Sequence, residues 1–245
     1  MALPALDSDR WHGPLRAFAW GMRSVTSTVL TLVLFTTYAG IGALAHDTHF
    51  SLGWVLASTL CVWAGPAQII LISTLGSGAT ALQAAIAVTV SAIRLFPMVV
   101  SVLPMMRTPQ TKRRQLILAT HFVAVTLWVE CFRLLPQVPP ERRIAYVHGL
   151  GSGLLLVCLT ATTTGYGLAA NLPELFAAAI LLLTPLAFLF STARNCRHLA
   201  DILALLLGLA LYPLVAMFHT GVDILISGAS AGTIAYAVHW WREQE

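Results

Sequence analysis

Charge is what this 245-residue chain has least of: 10% of its residues are charged, with 14 Lys and Arg against 10 Asp and Glu. So few charges leave no basic face for nucleic acid, because the excess of four cations is spent in clusters at the ends of apolar runs. Cysteine is also sparse. Cys61, Cys131, Cys158 and Cys196 stand in separate runs with no C-x-x-C spacing, which excludes a zinc site or a redox pair and leaves them as small core residues. Also missing are G-x-x-x-x-G-K-[ST], H-E-x-x-H and G-x-S-x-G, so the chain shows no catalytic residues and implies no metal or cofactor. Period-two alternation is missing from the apolar runs as well, which argues against a transmembrane barrel.

What the chain has is hydrocarbon, at 58% apolar residues and a mean hydropathy of +0.79. A bilayer core of about 30 Å needs roughly 20 mostly apolar residues per helix. Runs of that kind follow one another near 25–45, 51–75, 79–106, 115–135, 144–170, 174–193, 199–217 and 221–239. The sequence therefore predicts an all-α, polytopic transmembrane bundle of about 7–8 spans, with 1–245 as one integral membrane domain in contact with lipid. Residues 1–23 form a basic amphipathic segment with Arg10, Arg16 and Arg23 at or near it and no cleavage signal. One feature resists simple alternation. If every run crosses and the N-terminus is cytoplasmic, the cluster Arg107, Lys112, Arg113 and Arg114 falls outside, against the positive-inside tendency.

An internal similarity bears on that conflict. "FTTYAGIGALA" (35–45) aligns with "ATTTGYGLAA" (161–170), "WAGPAQIILIST" (63–74) with "LTPLAFLFST" (183–192), and "LFPMVV" (95–100) with "YPLVAM" (212–217). Repeat-like halves of about 24–107 and 144–217 follow, with discontinuous helices expected near Pro66 and Pro185 and a bend at Pro97, as in transporters built from structural repeats. A break within a run changes the number of crossings and offers to return Arg107–Arg114 to the cytoplasm.

Several residues stand out against the apolar background. Arg94 lies inside a run, where insertion costs at least ~2.5 kcal/mol, so it should face a cavity, a substrate carboxylate, or a structural partner such as Glu130. Gln68, two residues after Pro66, can either mend the helix break or contact a ligand. Trp63, Gly65, Pro66, Gln68, Arg94 and Phe96 together make the candidate substrate-binding set, with Leu71 and Met98 as further apolar lining. Glu130 stands three residues before Arg133, the spacing of a salt bridge on one helix face. Histidine is the side chain suited to carrying protons at physiological pH, which makes His121, with Glu130, a candidate for proton coupling. Glu174, Asp201 and Asp223 open runs, where helix N-termini favour acids. Trp240, Trp241 and Arg242 suit the membrane interface.

The stretch from Ser58 to Gln68, ending in "WAGPAQ", then "LGSGAT" and "IRLFPMVVSVLP" (93–104), resembles the AzlC family, the larger subunit of bacterial branched-chain amino acid exporters. "GYGLAANLPELFAAAILLLTPLAFL" in the second half resembles it too, at a Gly-rich turn and a Pro-containing span. The resemblance implies a multi-pass protein of the bacterial inner membrane that exports hydrophobic amino acids such as leucine, isoleucine or valine. It also implies coupling to protons and a small AzlD-like membrane partner. Two departures are visible: the family's N-x-R-H reads Ala92, Ile93, Arg94 and Leu95 here, and an acidic pair at the fourth span is replaced by "LATHFVAV" around His121. The alternative that those losses suggest is a non-transporting scaffold or assembly subunit.

Overall fold

Glycine spacing determines which helices touch. In the computed structural model, which describes residues 3–6, 8–27, 29–109, 111–171, 199–218 and 223–242 together with 186, 189, 193 and 196, every regular element is helical. Helix α1 (Pro14–Ser24) and α2 (Val29–Asp47) lie end to end along α9 (Arg143–Asn171). A methyl group added to Gly21 would fall 2.8 Å from Leu150 N, and one on Gly149 would fall 2.9 Å from Phe18 Cα. Farther along, Gly42 sits against Tyr166 N at 2.8 Å and Gly165 against Ala39 Cα at 2.7 Å by the same measure. Small residues thus let the backbones meet where side chains would hold them apart. The contacts climb in the same order on both partners, so α1–α2 and α9 run parallel. The segments 35–45 and 161–170, aligned by sequence, lie side by side here, and the "GYG" expected as a turn is the last part of α9.

Between these long helices the chain makes three interrupted pairs. Helix α3 (Leu52–Val62) starts at Ser51, whose hydroxyl accepts the Trp54 N–H at 3.3 Å, and α4 (Gly65–Gly76) follows after Trp63 and Ala64. The interruption lies just ahead of the expected Gly65–Pro66 break. Pro66 falls in the first turn of α4, where its missing N–H costs nothing. The pair folds back on itself, because Gln68 Nε2 reaches Ser58 Oγ and Thr59 Oγ1, both at 2.8 Å. At the far end a methyl on Gly76 would meet Thr48 Cγ2 at 2.8 Å. Both ends of this hairpin therefore lie beside the end of α2.

Helix α5 (Ala81–Ala92) begins with a Thr80–Gln83 capping box and joins α6 (Leu95–Met106) at a 47° bend. The bend falls at Ile93–Arg94 instead of Pro97, since Pro97 too is placed in a first helical turn. Helices α7 (Arg113–His121) and α8 (Val125–Leu134) were expected as one span over 115–135; they meet at 119° across Phe122–Ala124. No proline marks that break. Its ends return to one place: a His148 ring nitrogen lies 3.1 Å from Gln115 O, while Arg143 donates to Val138 O and Met105 O, each at 3.1 Å. The α7–α8 hairpin thus opens beside the start of α9.

Helices α10 (Leu199–Ala216) and α11 (Asp223–Arg242) pack on each other, with Asp201 and Asp223 in their first turns as expected. Pro185, Glu174, Arg194 and Arg197, and most of the 174–193 run, lie outside the described residues. By length and composition Pro140–Asn171 and Leu199–Ala216 can each cross a bilayer, and the α5–α6 and α7–α8 pairs pass when each is taken whole.

The glycine contacts make a direct prediction. Gly42→Ala or Gly165→Ala should push α2 off α9 and destabilise the protein by about 1–3 kcal/mol, the usual cost of overpacking. Gly167→Ala, which meets nothing within 4 Å, should be silent. Thermal melting of the detergent-solubilised variants checks both.

Candidate functional site

The two hairpins meet tip to tip. Trp63 ends α3 in the left-handed region, φ 41 and ψ 36, an uncommon conformation for a bulky residue. Its indole Nε1–H crosses to the other hairpin and donates to Phe122 O at 2.7 Å. In the reverse direction His121 donates through Nε2–H to Leu60 O at 2.9 Å, since a carbonyl can only accept. Leu60 O lies in the last turn of α3 and Phe122 O follows the last residue of α7. Each hairpin therefore supplies a donor to a carbonyl at the other's break, and Phe122 O accepts the Ala124 N–H as well, at 3.0 Å. The Trp63 and Phe122 rings stand edge to face, 6.0 Å apart, and Phe122 packs on Gly151 of α9.

The same breaks leave donors free. Ala64 and Ala124 precede α4 and α8, and neither has a side chain that can cap. The first backbone bonds of these helices are Gln68 N–H to Ala64 O at 2.9 Å and Trp128 N–H to Ala124 O at 2.8 Å. The N–H groups of Gly65 and Ala67 in α4, and of Val125, Thr126 and Leu127 in α8, have no acceptor among the described residues. Two helix N-termini, each with its partial positive charge, thus start at the seam between the tips.

Gln68 stands one turn into α4 and is 0% exposed. Its Nε2 donates to Ser58 Oγ and Thr59 Oγ1, with Val55 O at 3.3 Å, while those hydroxyls themselves donate to Val55 O at 2.8 and 2.9 Å. Mending the gap left by Pro66 is not its role, because these partners lie up to two turns back on α3. Its Oε1 is buried with no hydrogen-bond partner among the described residues. Such an acceptor calls for a donor from outside this set.

The other expected site residues separate from this cluster. Arg94 and Phe96 are exposed on α5–α6, Phe96 at 73%. Glu130 is buried at 1% exposure and forms its ion pair with Arg133 on the same helix, as the three-residue spacing suggested, so it does not serve Arg94. His121 is exposed and joins the seam through Leu60 O. Sequence reading missed the Ser58–Thr59 hydroxyl pair under Gln68 and the whole contribution of Phe122. The first had a signal, two hydroxyls and an amide within eleven apolar residues. The second had none, since Phe122 differs from any core aromatic only in what it touches.

Among known families, the model described as AzlC protein matches residues 29–172, the stretch from the first residue of α2 to just past α9. No curated protein and no solved structure matches the chain. The match spans both hairpins, their seam and more than half of the chain, and the protein therefore belongs to the AzlC family of membrane proteins associated with branched-chain amino acid transport.

Proposed function

We propose that the chain is a multi-pass transporter subunit of the bacterial inner membrane that exports hydrophobic amino acids, with the substrate held at the seam between the α3–α4 and α7–α8 tips. The observation that carries this reading is the pair of uncapped helix N-termini that start at the two bonded tips, with Gln68 Oε1, one turn into α4, buried and without a partner among the described residues. An amino acid zwitterion complements those groups. Its carboxylate suits the free N–H groups of Gly65, Ala67, Val125 and Thr126, and its ammonium suits Gln68 Oε1. Trp63 and Phe122 offer an apolar surface for a branched side chain.

The limbs have the right length for such a site. Helices α3, α4, α7 and α8 hold 11, 12, 9 and 10 residues, which at 1.5 Å per residue is roughly half of a 30 Å bilayer each. We read α3–α4 as a re-entrant hairpin from the outer face and α7–α8 as one from the cytoplasmic face. With α1–α2 running outward and α5–α6 returning inward, Arg107, Lys112, Arg113 and Arg114 become cytoplasmic. So do Arg133, Arg142 and Arg143, and α9 then runs outward parallel to α2. The charge conflict in the sequence disappears because the run 51–75 enters and leaves on one side. The parallel contact of α2 with α9 supports a parallel repeat. Alternating access would open one hairpin at a time about the seam, driven by the proton gradient and with a small AzlD-like subunit as partner.

Two measurements test this. Gln68→Leu should insert normally and lower leucine export from proteoliposomes by about 10–100-fold, the value of one or two hydrogen bonds to a charged group; unchanged export refutes the site, and an inactive wild type with its small partner present favours a scaffold. In a variant without native cysteines, Ser51→Cys and Ser77→Cys should react with an impermeant maleimide from one face and Thr111→Cys from the other. Ser51 and Ser77 reacting from opposite faces would restore a continuous span.

A further inference from the structure

The amide of Gln68 is held one way round. It is buried at 0% exposure against two hydroxyl side chains, Ser58 and Thr59, that are buried as well. Ser58 Oγ and Thr59 Oγ1 lie 2.8 and 2.9 Å from Val55 O, and a carbonyl can only accept, so each hydroxyl has spent its single proton there. What the hydroxyls offer Gln68 is lone pairs. Nε2 takes both at 2.8 Å, and its two N–H groups are then engaged. Oε1 is left without a partner among the described residues.

Turning the amide over would cost more than it gained. To meet an oxygen in place of a nitrogen, both hydroxyls would have to leave Val55 O, and the two N–H groups would turn away with no acceptor. Four bonds would become two, and one orphaned acceptor would become two orphaned donors. Each orphaned group weighs on the order of tenfold against the state that contains it. An unrestrained amide can offer a ligand either end; this one offers its oxygen.

We infer that Ser58 and Thr59 are positioning residues that hold Gln68 as a pure acceptor, so that the site takes an amino acid and turns away the 2-oxo acid of the same skeleton. The inference rests on the substrate site proposed above and adds to it a basis for choice. An amino acid has ammonium protons to give Oε1. A 2-hydroxy acid has one uncharged donor, and a 2-oxo acid sets a second oxygen against the first. The carboxylate and the branched side chain are common to all three, so contacts to those parts do not separate them. A fixed acceptor does, because a ligand that lacks the donor leaves it unpaired.

The test is displacement of labelled leucine from the full-length protein in detergent, which reads the choice without requiring transport. The competitors are unlabelled leucine and its 2-hydroxy and 2-oxo analogues. The wild type should rank them in that order, with the oxo acid about 100-fold weaker than leucine, the value of a lost hydrogen bond to a charged group. Ser58→Ala combined with Thr59→Val frees the amide to turn, so leucine should weaken, the oxo acid should strengthen, and the ratio should fall about tenfold or more. Ser58→Thr and Thr59→Ser keep the hydroxyls and should keep the ratio. Equal binding of leucine and the oxo acid by the wild type would overturn the inference without any variant. So would a ratio that survives loss of both hydroxyls, or one that Thr59→Ser abolishes. Leucine binding that is absent from the wild type, or unchanged in Gln68→Leu, would instead refute the substrate site and take this inference with it.

Discussion

A helix that stops inside hydrocarbon leaves carbonyls and N–H groups where no water can reach them, and in the re-entrant reading proposed above the arrangement of this protein follows from how those groups are met. Trp63 covers Phe122 O and His121 covers Leu60 O, so each broken hairpin is completed only by the other. Separately the α3 end would leave Leu60 O without the His121 donor, and Phe122 O would keep only the Ala124 N–H, 3.0 Å away in its own hairpin. Together the tips form one seam, and the N–H groups that remain free at it are the groups a ligand could use.

The seam needs a rigid support, which α9 provides. Its glycines admit α1 and α2 to backbone contact on one side and Phe122 on another. Arg143 at its start ties down the ends of α6 and the α7–α8 hairpin by two backbone carbonyls. Tyr146 and Tyr166 add hydroxyl bonds to Ser24 Oγ and Phe50 O, at 2.7 and 2.9 Å, near the two ends of the long contact.

How much of this the sequence disclosed depended on whether local chemistry differed from its surroundings. The α3–α4 break was legible because glycine and proline stand out in an apolar run, although proline here opens a helix instead of breaking one. The fold-back was not legible, since a bend and a hairpin share the same residues and only Gln68 on Ser58 and Thr59 distinguishes them. Nothing in "THFVAV" announces the 119° turn between α7 and α8, which contacts far away in the chain hold open. Of the candidate site, Trp63, Gly65 and Gln68 were found by the oddity of their surroundings and His121 by its titratable ring. Arg94 stood out by its charge inside an apolar run and Phe96 by its place beside it, and neither carries information about which side of a helix faces inward.

The helix ends at the tips also bear on what a passage at the seam would keep out. In the reading proposed above, two positive helix N-termini confront each other near the middle of the bilayer, and a bare cation approaching from either face meets a rising potential. A zwitterion brings its own negative end and is not repelled in the same way. Protons that drive the cycle would then travel by another route and act on the hairpins through their shape. An energised membrane gains from that separation, because a passage that opens for a neutral nutrient would not discharge the gradient it depends on.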